Sequence, residues 1–133
     1  MASDSITLTV PARGEYAKTV RLTAAELASR IGMSYDEVDD VRIAAEEAFV
    51  YASGCVGRDE SVTFRFTVGP ELLEIEVGPM PSHRGGEEPG VSEGYAEFIL
   101  QSVCDEFAID HSPEGCSLRL CRRAAGTAGV PGA

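Results

Sequence analysis

Hydrophobic positions change their spacing several times along the chain, and each change marks an element. In "SITLTV" Ile6, Leu8 and Val10 alternate with polar residues, the period of a half-buried strand, and Pro11 ends it. From about Glu15 the period lengthens. Ala17, Val20, Ala24, Leu27 and Ile31 recur at steps of three and four, which predicts a helix closed by Gly32. A second helix opens at Ser34, where Glu37 completes a capping box and Met33 with Val38 a hydrophobic staple. Its core stripe is Val38, Val41, Ala45, Ala48 or Phe49, and Ala52. Asp36, Asp40, Glu47, Tyr51 and Gly54 share a different face. Glu46 points elsewhere, toward Asp39 and Arg42, and is read as solvated.

"SVTFRFTV" and "ELLEIEV" alternate again and are separated by Gly69-Pro70, a predicted hairpin with Val62, Phe64, Phe66 and Val68 facing one way and Leu73, Ile75 and Val77 on its second strand. Between Gly78 and Gly94 the chain is rich in Gly, Pro, Glu and Ser and reads as a loop. A third helix is predicted from Tyr95 to Cys104, with Phe98, Ile99 and Val103 as core. The strands "FAID" and "CSLRLC" follow around a turn at "SPEG". The predicted fold is a two-layer α/β (α+β) sandwich: a mixed, mostly antiparallel sheet covered on one face by three helices. One domain is expected over residues 1–123, with a disordered Ala/Gly/Thr/Val/Pro tail over 124–133.

Composition narrows the chemistry. The chain has 133 residues, enough for one two-layer domain, and no window approaches the roughly 18 apolar residues of a membrane span. No basic segment precedes an apolar one at the N-terminus, so the expected compartment is the cytoplasm. A net charge of -11 repels nucleic-acid phosphates and anionic lipid and favours a basic protein partner. Cys55, Cys104, Cys116 and Cys121 form no CxxC pair, and with two histidines they make no zinc site; they read as reduced thiols acting as small hydrophobes. No metal ligand set is assigned.

The segment "VPARGEYAKTVRLTAAELASRIGMSYDEVDDVRIAAEEA" resembles the N-terminal half of the bacterial anti-sigma-factor serine kinases of the RsbW and SpoIIAB type, members of the ATPase superfamily shared with gyrase and sensor histidine kinases. "VTFRFTV", "LEIEV", "SEG", "DEF" and "PEGCSLRL" agree in order, so the likeness spans about residues 5–123. It implies the histidine-kinase-type ATPase fold and a homodimer. It also implies two partners, a sigma factor and a STAS-type anti-anti-sigma protein. In that family a helical glutamate activates the attacking hydroxyl and an asparagine one turn later binds magnesium on ATP, because magnesium takes hard oxygens at about 2.1 Å.

Glu47 matches the glutamate, but Tyr51 stands at the asparagine. After "LEIEV" the family has an aspartate for adenine; here the chain reads "GPMPSHR", with Pro79 at that place. The family's Gly-x-Gly phosphate cradle opening the third helix reads "SEGYAEF", where Gly94 remains, Ala96 replaces the second glycine, and Glu93 and Glu97 flank them. The resemblance therefore implies a relic general base at Glu47 and a degenerate ATP site at Tyr51, Gly94 and Ala96. No cofactor is expected, with ATP and magnesium as the alternative if binding is retained.

Arg21 matches a family arginine that contacts both partners, and Glu15, Tyr16 and Lys18 flank it; a surface pair between Arg21 and a neighbouring acid is the other reading. Asp36, Asp40 and Glu47 are either a solvated face or a relic pocket. His83 and Arg84 are an anion site or idle loop residues, and His111 suggests nothing. Two functions compete: an anti-sigma factor acting by sequestration, and an active serine kinase for the anti-anti-sigma protein.

Overall fold

The computed structural model describes residues 3–81, 90–113 and 115–125, and the side chains of 90–93 lie outside that description. Along the chain run β1 (Asp4–Pro11), a single 3-10 turn (Gly14–Tyr16), α1 (Ala17–Ile31), α2 (Tyr35–Cys55), β2 (Ser61–Val68), β3 (Leu72–Met80), α3 (Gly90–Val103), β4 (Glu106–Ser112) and β5 (Gly115–Arg123). The strands form one sheet in the order β1-β2-β3-β5-β4. Every pairing is antiparallel, so the sheet is not mixed. His83 and Arg84 fall outside the described residues.

Period-two alternation does what it predicts. Val62, Phe64, Phe66, Leu73, Ile75, Val77, Leu118 and Leu120 are all buried on the helix side of the sheet. Phe64 and Phe66 stack at 6.0 Å between ring centroids. The opposite face carries Thr63, Arg65, Glu76 and Arg119, and Arg65 pairs with Glu76 across the ladder at 3.3 Å. α2 lies between α1 and α3 and packs on both.

The caps are as the sequence specifies. Gly32 ends α1 at φ 92, the left-handed region, and its N–H reaches the Ala28 and Ser29 carbonyls. At α2 the Ser34 hydroxyl accepts from the Glu37 N–H at 3.1 Å, and Glu37 Oε1 accepts from the Ser34 N–H at 2.8 Å.

Glu37 does more than close the box. It is buried, and its Oε2 accepts the Ala125 N–H at 2.8 Å. Ala124 is buried too, its N–H donating to the Glu71 carbonyl at 2.8 Å. The first two residues of the expected tail are thus fastened to the domain. Beside them Arg122 reaches Asp40 at 2.9 Å and Asp105 at 3.7 Å, tying the end of β5 to α2 and to the turn after α3.

The Ser34 N–H, then the Ala125 N–H and the Arg122 charge, hold the Glu37 carboxyl below its ordinary 4.5 against the opposing effect of burial. A depressed folded-state value gives stability that is present above the unfolded value and lost as pH falls through the folded one. Chemical denaturation from pH 6 downward should therefore show stability falling below about pH 4.5, with a smaller slope in Glu37→Gln. An identical slope in the variant would remove Glu37 as its source.

Three expectations fail in α3. The helix begins at Gly90, so the predicted loop yields its last residues to it and Gly94 lies one turn inside. Its core is Ala96, Leu100 and Val103, spaced four and three, with Ile99 half-buried. Phe98, expected in the core, is 68% exposed. β3 likewise continues through Gly78-Pro79 to Met80, which stands opposite Cys116 after a register shift that accommodates the proline.

Candidate functional site

α2 is where the sequence concentrates its chemistry. The capped start fixes its rotation, so Val41, Ala44, Ala45, Ala48, Phe49 and Ala52 turn into the core. Tyr51 goes with them. It is only 9% exposed and belongs to the main hydrophobic cluster, which corrects its placement on a face away from the core. The reason is the position of α2: flanked by α1 and α3, it buries a wider arc than a helix lying singly on a sheet.

Glu47, one turn earlier, is half-buried. Burial, and then the neighbouring Glu46 charge, push its carboxyl above its ordinary 4.5. Glu46 is not simply solvated beside Asp39 and Arg42. It accepts from Arg21 Nη1 at 3.0 Å and so joins α2 to α1, while Arg42 pairs with Asp39 at 3.4 Å. Of the acidic stripe, Asp36 is exposed and Asp40 is engaged by Arg122. The structure thus separates the residues that the spacing had grouped.

The other predicted site residues lie apart from Glu47 in burial and element. Pro79 is exposed at the irregular end of β3. Gly94 and Glu97 are exposed on α3, whereas Ala96 is fully buried and serves the core. Glu93 lies among the side chains left undescribed. Among the described residues no group of three or more His, Cys, Asp and Glu side chains could hold a metal ion. Cys116 and Cys121 are buried, and burial first of all pushes the Cys104 thiol up to about 12, so it stays protonated.

At the other candidate surface, the 3-10 turn replaces the expected first turn of α1. Arg13 packs over the Tyr16 ring at 5.4 Å and pairs with Glu15 at 3.7 Å; Tyr16 is half-buried and Lys18 exposed. Arg21 follows, held by Glu46. Around that pair are apolar side chains facing solvent: Leu22 on α1, 56% exposed, and Ile43 and Val50 one turn before and after the Glu46–Glu47 pair on α2. Tyr95 and Phe98 are exposed on α3. None of these five is an expected surface group from the sequence pattern. Their signal was there in Ile43 and Val50, both off the stripe that the cap defines.

Comparison with known proteins gives a consistent picture. The model of the histidine kinase-like ATPase domain family matches residues 10–122. The serine-protein kinase RsbW of Bacillus subtilis is 38% identical over 130 residues, covering 82% of this chain and 79% of that protein. The Bacillus pumilus protein of the same name is 40% identical over 126 residues, covering 80% and 78%. Among solved structures, a Mycobacterium tuberculosis protein containing RsbU and RsbW domains superposes with a TM-score of 0.69 at 18% identity. That match covers 90% of this chain and 32% of the longer one, and the likeness is one of fold.

Proposed function

The chain belongs to the histidine kinase-like ATPase family and to its RsbW group, and from that premise we propose that it is an anti-sigma factor acting by protein contact, with its nucleotide chemistry lost. It sequesters an alternative sigma factor and is relieved by an anti-anti-sigma protein competing for an overlapping surface. The observation that carries this reading is the burial of Tyr51 in the core at the position where the resemblance calls for a magnesium ligand.

The residues do not fit a magnesium nucleotide. A second hard oxygen one turn after Glu47 is replaced by a phenol packed among apolar side chains. Pro79 offers no carboxylate at the strand end, and Gly94 sits within a helix rather than at its opening. No step is therefore routed through ATP. What the surface does offer is the Arg21–Glu46 pair rimmed by exposed Leu22, Ile43 and Val50, an arrangement of polar centre and apolar rim suited to a protein partner. The charge of -11 would steer a basic sigma-factor surface toward it.

The rival reading, an active kinase, has one observation in its favour. Glu47 has a raised carboxyl, the direction a general base needs. Transcription reconstituted with a panel of alternative sigma factors separates the two. One sigma factor should be inhibited stoichiometrically without ATP, and labelled ATP should leave the anti-anti-sigma protein unlabelled. Arg21→Ala should weaken sigma binding about tenfold, roughly 1.4 kcal/mol, while Glu47→Ala leaves it unchanged. Label transfer that vanishes in Glu47→Ala would overturn the sequestration reading.

A further inference from the structure

The helices pack on one face of the sheet; on the other, the end of β5 carries a depression. Leu118 and Leu120 turn toward the helices, so Arg119 and Cys121 turn away from them. The register then sets Glu74 of β3 and Glu106 of β4 on either side of Cys121. Cys121 and Ala108 are short side chains among longer ones. They leave a cleft of about 90 Å³ walled by Glu74, Glu106 and Arg119. Small-molecule sites begin at roughly 300 Å³, so this cleft has room for one side-chain head rather than for a whole ligand.

Its chemistry is unbalanced. Cys121 is 8% exposed yet stands outside the main hydrophobic cluster, and its thiol has no hydrogen bond among the described residues. Glu74 and Glu106 are exposed and have neither an ion pair nor a hydrogen bond among those residues. Their neighbours on this face are engaged: Arg65 by Glu76 at 3.3 Å and Arg119 by Asp110 at 3.4 Å. Burial, and then the Glu106 charge, push the Cys121 thiol above its ordinary 9.0; Arg123 opposes them, and Asp105 and Glu74 add to them. Three carboxylates against one guanidinium thus act at the centre of the cleft, over a floor that stays neutral.

We propose that this cleft seats an arginine side chain of a partner protein, on the sheet face turned away from the Arg21–Glu46 surface. Glu74 and Glu106 both stand opposite Cys121, so their backbones are two strand spacings apart, about 9.6 Å. That gap suits one planar guanidinium, which donates from both edges in N–H···O bonds of about 2.8 Å. Its flat face then rests on the Cys121 thiol and Ala108. A lysine ammonium is a compact point charge and cannot bridge both carboxylates in this way. The rest of the arginine's chain stays outside on the open sheet, which is why a protein segment is the occupant. The charge of -11 steers a basic protein toward it. The site is independent of the sigma-factor reading, because it uses no residue of α1 or α2, and the two partners do not compete.

The probe is a short glycine peptide with one central arginine, blocked at both ends, titrated into the isotope-labelled full chain. The backbone amide signals of Glu74, Glu106 and Cys121 should shift and saturate. The matching lysine peptide should bind about tenfold more weakly. The citrulline peptide, which keeps the shape and loses the charge, should not bind. Free arginine should bind more weakly than the peptide, because its own carboxylate meets an acidic chain. Combining Glu74→Gln with Glu106→Gln should weaken binding about tenfold or more. Cys121→Leu fills the floor and leaves both carboxylates in place; it should weaken binding as much, whereas attraction by charge alone would survive it. If Cys121→Leu loses its fold, the two exposed glutamate substitutions carry the test. Arg21→Ala should leave peptide binding unchanged, so this site and the sequestration reading can fail separately. Shifts that never saturate, an equal response to citrulline, or binding that persists without the two carboxylates would overturn the proposal. So would free arginine binding as tightly as the peptide, since the occupant would then be a small molecule.

Discussion

Tyr51→Asn is expected to lower stability by about 3–5 kcal/mol and to create no response to magnesium and ATP. The substitution installs the amide that the family resemblance calls for, yet the position now belongs to the core. Tyr51 is buried with Ala48, Phe49 and Ala52 on α2, so removing its ring opens a cavity and the new amide enters apolar surroundings. For a domain of this size the melting temperature should drop by roughly 10–20 °C. A nucleotide bound only by the folded chain at a hundred times its dissociation constant would raise stability by about 2.7 kcal/mol, readily seen in a thermal scan. Its expected absence in both proteins follows from Pro79 and Gly94, which one amide does not repair. A magnesium-dependent rise confined to Tyr51→Asn would mean that the pocket is intact but for its metal ligand, and would return the kinase reading to first place.

What the sequence made legible was what local spacing encodes. The strands, the αL stop at Gly32 and the reciprocal Ser34–Glu37 box all depend on residues within a few positions of one another. In α3 the bulk of a side chain does not report which face turns inward. Ala96 looked like a lost glycine and Phe98 like core, whereas the small side chain is inside, at the Ala96–Leu100–Val103 spacing, and the large one outside. The burial of Tyr51 depends on helices flanking α2 on both sides, a tertiary fact that spacing along one helix does not encode. The ion pairs were the least legible. Arg21 finds Glu46 across 25 residues, and Arg122 finds Asp40 across 82. No periodicity reports such distances.

Arg122→Ala is the second large effect expected, a loss of about 1–3 kcal/mol. Breaking a fully buried pair costs about 3–5 kcal/mol because the remaining charge is stranded. Here the Arg122 side chain is 22% exposed and Asp40 32%, so solvent takes up part of that penalty. Three acids converge on this guanidinium: Asp40 at 2.9 Å, Asp105 at 3.7 Å, and Glu37, whose carboxyl it helps to hold low. Removing it leaves their negative charge together at the start of α2, in a chain already at -11. Exposed pairs elsewhere set the contrast: Arg65→Ala, which breaks only the cross-strand contact with Glu76, should cost no more than about 0.5 kcal/mol. A double-mutant cycle between Arg122 and Asp40 isolates their shared part, expected at about 0.5–1.5 kcal/mol. Should Arg122→Ala fall no further than Arg65→Ala in urea denaturation, the clasp between β5 and α2 would be an exposed contact like the others, and the fastening of Ala125 by Glu37 would have to stand without it.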